Sequence, residues 1–244
     1  RHIRKQLLGE GKTGKYFKYA IGEIVLVMIG ILLALQVNNW NENRIQRQKT
    51  NNYLKSFTIE LQNNVIRMER VSERTRKDLK ITLKVLTDLN DDTKVIDNEY
   101  MYHTRLLPIF KTELEVSVME DMLSSGVLNN LPNSDLKRNI FRIRALYLNY
   151  DEGYLNAQAN WDDYLLPYLN KHVNVTNLWD SLSVVKMPKL KFKNNLKAFV
   201  NNKEFANILS ARMRMQANLD NLINRDKKII IELISELETY TNND

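Results

Sequence analysis

The stretch YAIGEIVLVMIGILLALQVNNWNE, residues 19–42, decides how the rest of the chain is interpreted. From Ile24 to Leu35 it has no polar side chain. A helix of twenty such residues is about 30 Å long, which is the thickness of a bilayer's hydrocarbon core. A cleaved export signal has a shorter apolar region and a small-x-small site after it, and QVNNW (residues 36–40) is no such site. The sequence therefore predicts a retained transmembrane helix at residues 19–40.

The residues on either side of this span predict its orientation. Residues 1–19 carry six Lys or Arg, and the fifteen residues after Val37 carry three. Positive charge is enriched on the cytoplasmic side of membrane helices, and aromatic rings are enriched at both interfaces. We therefore expect a basic cytoplasmic tail (1–18) and a periplasmic domain (41–244) on a bacterial inner membrane. The expected membrane flanks are Lys12, Lys15, Lys18 and Trp40.

The net charge of +7 does not predict a nucleic-acid partner, because most of the excess lies in this tail. Residues 38–244 hold 30 basic and 27 acidic side chains, a net of only +3. The tail also contains GEGKTGK (residues 9–15), which approaches a phosphate-binding loop but has Tyr16 where Ser or Thr would hold magnesium. It leads into the membrane span rather than following a strand. We expect a flexible basic linker and no nucleotide.

One face of the predicted span carries small residues. Gly22, Leu26, Gly30 and Ala34 form an i+4 stripe, and Glu23 lies at its edge. Small residues let helix backbones approach closely in lipid, and an intramembrane carboxylate usually faces protein or a polar cavity. These five residues therefore predict a helix–helix interface in the membrane. The alternative is that Glu23 lies near the headgroups and reaches water or a nearby lysine.

The same stretch resembles the N-terminal anchor of an uncharacterised family of Bacteroidota membrane proteins. The residues that carry the resemblance are YAIGEI (19–24), IGIL (29–32), ALQ (34–36) and NNWNE (38–42). A weaker likeness follows at LSSGVL (123–128). The resemblance implies a single-pass inner-membrane protein with a helical exported domain and no assigned activity. It implies no catalytic residues.

The remainder of the chain predicts helices. Between Ile31 and Leu107 there is neither glycine nor proline, and apolar residues recur at three- and four-residue steps from Leu54 to Leu89. A helix that leaves the membrane has no signal to stop before Asn90, although the asparagines at 38–43 could mark a bend. TELE (112–115) is a capping-box pattern that predicts the start of a short helix, with its end at Ser125-Gly126.

Two more long helices are predicted. One follows PNSD (132–135), and Pro167 is expected to bend or end it; the other contains Phe205 to Leu237. Residues 171–198 have no helical period, and KLKFK (189–193) alternates like a short strand or an edge loop. The predicted fold is all-α, with one N-terminal transmembrane helix followed by an antiparallel helical bundle.

No constellation of residues predicts chemistry. The three histidines are far apart, none belongs to a Glu-x-x-His pair, and the chain has no cysteine. There is no Gly-x-Ser-x-Gly elbow, and Asp162-Asp163 fits a solvated helix face better than an acid–base pair. We expect no metal, no cofactor and no enzymatic activity.

An aromatic stripe is the remaining candidate for a site. Tyr147, Tyr150, Tyr154 and Trp161 recur at helical spacing and could line a ligand pocket between helices. Such a stripe is more often core, and core is the interpretation we favour.

Two functions follow from these patterns. The first is a membrane-anchored, non-enzymatic interaction or structural protein, which is a homo-oligomer or an accessory subunit of a cell-envelope complex. Its partners are then the lipid bilayer and protein, either other copies or envelope subunits. The second is a periplasmic ligand-sensing bundle. Because the predicted cytoplasmic tail, residues 1–18, is too short for an output domain and no second span is predicted, a sensor of this kind would have to signal through a partner.

Overall fold

The computed structural model describes residues 13–104, 106–174 and 190–243. Across these residues the chain is all-α and contains no β-strand, which confirms the predicted fold class. Leu190 to Lys193 form a loop rather than a strand, and Lys189 lies outside the described residues.

Helix α1, Thr13–Leu89, is a single helix of 77 residues and about 115 Å. It passes through the asparagines at 38–43 without a break. There, the side-chain amide of Asn38 donates to Glu42 Oε1 at 2.8 Å, one turn further along the helix. An asparagine that bonds in this way does not compete for the backbone hydrogen bonds of the helix. The predicted stop is confirmed, because a turn begins at Asn90.

The apolar part of α1 packs against nothing in the described structure. Its most apolar eighteen-residue window has a mean hydropathy of 2.4 and no buried residue. From Thr50 onward one face of α1 is buried, including Leu54, Phe57 and Leu61. Helix α1 therefore has two parts, one bare and apolar, the other forming part of the bundle.

A partly irregular segment runs back along α1. It contains helix α2, Asn98–His103, helix α3, Ser117–Ser124, and a 3-10 turn, Val127–Asn130. The direction of this segment is shown by two hydrogen bonds that it makes with α1. The Tyr100 hydroxyl donates to Asp88 at 2.8 Å near the far end of α1, and Asn130 Nδ2 donates to Gln46 at 3.4 Å near the apolar part of α1.

The predicted capping box is wrong. Helix α3 begins at Ser117 and its cap, Val116, makes no side-chain bond. Glu60 on α1 supplies the cap instead, since its carboxylate accepts from the backbone N–H of Val118 at 2.7 Å and of Met119 at 3.2 Å. A side chain from another helix thus occupies the place that local sequence assigns to Thr112. The predicted end is confirmed, since Gly126 follows with φ of 68°, a conformation that suits glycine.

Helix α4, Ser134–Asn160, begins at Asn133, whose side chain accepts from the backbone N–H of Asp135 and Leu136. It continues through a π-helical turn, Trp161–Leu165, into helix α5, Leu166–His172. Pro167 therefore does not end the helical path. In a regular helix its ring would collide with the carbonyl four residues earlier, and the wider π-helical turn directly before it lets the helix go on.

Helix α6, Lys203–Asn243, runs antiparallel to both α1 and α4. Gln62 on α1 donates to Glu238 at 3.1 Å, and Arg76 Nε donates to Asp220 at 2.9 Å. On α4, Asn139 Nδ2 donates to Glu236 at 2.9 Å. Along the chain the four legs of the bundle therefore alternate in direction, with the irregular segment as the second leg.

The buried apolar residues form two cores. The proximal core, on the side of the apolar segment, includes Leu61 on α1, Ile140 on α4 and Leu233 on α6. The distal core includes Trp161, Phe199 and Phe205. Gly153 lets α4 and α6 approach closely at the proximal core, since a Cβ there would lie 2.6 Å from Leu222 Cδ2.

Candidate functional site

A layer of polar side chains separates the two cores. On α1, Val71 belongs to the proximal core and Val85 to the distal core. On α6, Leu219 belongs to the proximal core and Leu209 to the distal core. Among the polar residues between these levels, we call five the polar layer: Thr75, Asn160, Arg212 and Gln216, which are buried, and Asp78, which is half-buried. Buried polar groups inside a bundle are the exception that needs a physical explanation.

Arg212 is the centre of the polar layer. Only 1% of it is exposed. Its Nη2 donates to the Leu107 carbonyl at 2.6 Å, and the guanidinium lies 5.8 Å from the centre of the Trp161 ring. Within the described residues, its Nε and Nη1 groups have no hydrogen-bond partner. A buried cation with donors left over is costly unless something satisfies them.

Asp78 supplies the opposite charge from α1. Burial raises the pKa of this carboxyl group, against the lowering effect of Arg212 and Arg74. Burial lowers the pKa of Arg212 to about 10, and Asp78 opposes that change. Arg212 is therefore still protonated at neutral pH. The two side chains interact through space and share no hydrogen bond in the described structure.

More polar atoms at this level lack a protein partner in the described part of the chain: Thr75 Oγ1, Asn160 Oδ1, and Gln216 Oε1 and Nε2. Thr75 on α1 and Gln216 on α6 lie at the same level of the bundle. The hydrogen-bonded pair Ser72–Asp220 lies about one turn away on one side of that level, and the charged pair Asp78–Arg212 about one turn away on the other. The layer thus combines spare donors and spare acceptors. Such a set can bind internal water or a small polar or anionic molecule.

The backbone is also irregular here. The π-helical turn begins at Trp161, next to Asn160 and over the Arg212 guanidinium. Single π-turns inside α-helices occur frequently at functional sites. The polar layer is therefore the candidate site in the bundle.

The polar layer was not predicted, although the sequence contains a signal for it. Leu209, Arg212, Gln216 and Leu219 follow one another at steps of three, four and three on one helical stripe. Two polar residues therefore occupy positions at which the period requires core. A prediction based only on apolar residues does not include these two polar residues.

The predicted aromatic residues do not form one group. Tyr147 and Tyr150 lie in the proximal core, with Tyr154 packed half-buried against it, whereas Trp161 lies in the distal core. The Tyr147 hydroxyl accepts from Asn64 Nδ2 at 2.7 Å, and the Tyr150 hydroxyl donates to the Thr112 carbonyl at 3.2 Å. Burial raises the pKa of Tyr150 to about 12, so its phenol is neutral at physiological pH.

The predicted membrane face is open. A Cβ added at Gly22 or Gly30 would meet no atom within 4 Å, and Leu26 and Ala34 are exposed. Glu23 is exposed too, and it has an interaction partner within the chain.

Among the predicted flanks, Lys18 and Trp40 are exposed on α1. Lys12 lies outside the described residues, as does most of GEGKTGK, and the side chain of Lys15 is not described. Elsewhere in the described chain, no group of three or more His, Asp or Glu is placed to hold a metal ion.

Comparisons with protein-family models, with curated proteins and with solved structures found no match for this chain. The resemblance of residues 19–42 to a Bacteroidota anchor therefore stays a prediction.

Proposed function

We propose that this chain is a membrane-anchored, non-enzymatic interaction or structural protein, present as a homo-oligomer or as an accessory subunit of a cell-envelope complex. The observation that carries the proposal is the continuity of α1. One uninterrupted helix joins a folded bundle to an apolar segment that no other described part of the chain covers. An exposed apolar surface of this size requires lipid or another protein. Because the helix is continuous, it also fixes the position of the bundle relative to the lipid or protein that covers the apolar segment.

The proposed membrane is the bacterial inner membrane, with residues 1–18 in the cytoplasm and residues 41–244 in the periplasm. The support is the charge difference between the two sides of the span. A reporter that is active only outside the cytoplasm, fused after Asp244, is expected to be active. Protease added to spheroplasts is expected to degrade the bundle. A protected bundle with an accessible tail would reverse the orientation.

The proposed contact in the membrane is the stripe of Gly22, Leu26, Gly30 and Ala34, with Glu23 at its edge. The support is that both glycines face open space, where a second helix can approach to backbone contact. The second helix belongs to another copy or to a different subunit.

Gly30→Leu tests this contact. Leucine would push the two backbones apart and remove the packing that holds helices together in lipid. Cross-linking in membranes is expected to give a specific adduct in the parent protein and to lose it in the variant. Val25→Leu, off the stripe, is the matched control and is expected to keep the adduct, and Glu23→Gln separates a hydrogen-bonding role from an ionic one. If the adduct persists in Gly30→Leu, the span anchors the chain but makes no specific contact with another helix.

A second candidate function is supported by the polar layer. A ligand-sensing bundle needs a buried place where a small molecule can meet specific polar groups. Arg212 has two N–H groups without a protein partner in the described structure, and Asn160 and Gln216 offer acceptors beside it. Helix α1 lines this layer at Asp78 and continues into the apolar segment, so it could carry a change to a membrane partner.

A further inference from the structure

Helices α4 and α6 border a groove on the outside of the bundle. Its volume is about 440 Å³, within the range of roughly 300–1,000 Å³ in which proteins bind small molecules. The lining residues that are buried or half-buried are Gly153 on α4 and Met215, Leu219 and Leu222 on α6. None of these carries a polar side chain. The floor of the groove is therefore apolar, and the glycine lets the two helices approach closely there.

The rim of the groove is polar. Its exposed lining residues are Asn156 on α4 and Asn218, Asn221 and Arg225 on α6. Within the described residues, none of the three asparagine side chains makes a hydrogen bond. An asparagine amide has two N–H donors and a carbonyl acceptor, so each can pair with both the N–H and the C=O of a peptide group.

A buried carboxylate holds Arg225 at this rim. Asp226 is 0% exposed, and its Oδ1 accepts from Arg225 Nε at 2.9 Å and from Arg225 Nη2 at 2.8 Å. Both bonds use one edge of the guanidinium group. The edge formed by Nη1 and the second N–H of Nη2 has no partner in the described structure, and the side chain is 59% exposed. Two parallel N–H groups on one edge are what arginine uses to bind both oxygens of a carboxylate.

The face of α6 that borders the groove is basic. One exposed stripe, at steps of four and three residues, has three basic side chains and no acid: Arg214, Asn218, Asn221, Arg225 and Lys228. The two acids within this stretch face elsewhere, because Asp220 accepts from Arg76 on α1 and Asp226 is buried. The charge along α6 therefore favours a ligand with a negative group near Arg225.

We infer that the groove binds the carboxyl-terminal end of a peptide. Arg225 binds the terminal carboxylate, the asparagines pair with peptide groups, and the apolar floor contacts an aliphatic side chain. None of the described residues that line the groove is aromatic, so the groove offers no stacking surface to a nucleic-acid base. The inference rests on the proposed function in one respect, namely that the chain acts by binding other proteins.

Isothermal titration calorimetry of the full chain in mild detergent tests the inference with two probes. They are acetyl-alanyl-leucine with a free carboxyl group and the same peptide as its carboxyl-terminal amide. The free acid is expected to bind at least about tenfold more tightly, because the amide cannot accept a charge-assisted pair of hydrogen bonds from Arg225.

Three results would overturn the inference. If the acid and the amide bind equally, or if neither binds, the groove does not recognise a terminal carboxylate. If acetate binds as tightly as the peptide acid, the groove attracts small anions and does not recognise peptide groups. If glucuronate binds more tightly than the peptide acid, the ligand is a sugar acid.

Substitutions at the rim locate the binding. Arg225→Gln is expected to bring the affinities for the acid and the amide within about twofold of each other. Because that change leaves Asp226 buried without its donor, a second variant protects the test from misfolding. Asn221→Asp keeps the shape of an exposed side chain and adds a negative charge at the rim. It is expected to leave the near-UV circular dichroism unchanged and to weaken binding of the acid at least about fivefold.

Asn207→Asp is the matched control for Asn221→Asp. It makes the same charge change at an exposed position of α6, about 21 Å along the helix from residue 221. Neither the fold nor the affinity is expected to change. If Asn221→Asp binds the acid as tightly as the parent does, or if Asn207→Asp weakens binding equally, the peptide does not bind in the groove.

Peptide binding and the membrane contact can fail separately. If the peptide acid does not bind while Gly30→Leu still removes a membrane adduct, the inference fails and the proposed function stands. If the peptide acid binds with the expected preference but the chain has neither an adduct nor a co-purifying protein, the groove remains a binding site and the proposed function fails.

Discussion

Replacing Tyr150 with alanine is expected to lower the free energy of unfolding by about 3–5 kcal/mol. The ring is 1% exposed in the proximal core, so its loss leaves a cavity among packed side chains and frees the Thr112 carbonyl that its hydroxyl contacts. Urea denaturation of the chain in mild detergent, followed by near-UV circular dichroism, measures the change, because this signal reports tertiary packing rather than helix content.

Two variants separate packing from other effects of the change. Tyr150→Phe keeps the ring and loses only the hydrogen bond, so a cost of about 1 kcal/mol is expected. Tyr164→Ala, at a position that is 59% exposed in the π-helical turn, is expected to change stability by less than about 0.5 kcal/mol. If Tyr150→Ala leaves stability unchanged but abolishes binding of a small molecule, the aromatic stripe is a pocket and not core.

Replacing Arg212 with alanine is also expected to cost about 3–5 kcal/mol, for a different reason. The change leaves the Leu107 carbonyl without its donor and removes one of the two cations, Arg212 and Arg74, that favour the ionised form of Asp78. The same denaturation experiment measures it. Arg214→Ala is the matched control, since Arg214 is exposed two residues away on α6, and it is expected to have little effect.

The cost of losing Arg212 is expected to depend on pH. The pKa of Asp78 is raised in the folded protein by burial and is held down in part by Arg212. Without Arg212 it rises further, so the ionised carboxylate destabilises the variant at neutral pH. As the pH falls through this pKa, folding takes up the proton and the penalty is relieved. The difference between parent and variant should therefore be smaller at acidic than at neutral pH. A constant difference would mean that Asp78 is not the partner.

The same variant bears on the sensing hypothesis. If small carboxylic acids raise the melting temperature of the parent and not of Arg212→Ala, the polar layer binds them, and sensing replaces interaction as the better function. If no acid discriminates between the two proteins, the layer serves structure alone.

The features that the sequence predicted well depend on long local patterns. The course of α1 from Ile31 to Leu89 follows from a stretch with neither glycine nor proline, which carries an apolar period from Leu54 and is ended by Asn90 and two aspartates. The end of α3 follows from Ser125-Gly126, because glycine has no Cβ and therefore adopts a positive φ without strain. In both cases the cause lies within a few residues of its effect.

The features that were missed depend on contacts between distant residues. Thr112 lost the capping role because Glu60, more than fifty residues earlier, reaches the start of α3. The π-helical turn before Pro167 similarly has no local signature. The partners of Arg212 come from three separate segments, at Asp78, Leu107 and Trp161. The apolar period of a single helix does not indicate which residues of other segments will contact it.

The most direct test of the central claim, that this chain acts by contacting protein from a membrane anchor, is native mass spectrometry of the full chain extracted from its own membranes in mild detergent. A particle with at least two copies, or with one copy and a distinct subunit, is expected. Extraction of the chain is expected to require detergent and not high salt. Single chains alone, or release of the chain by salt or alkaline washing, would contradict it.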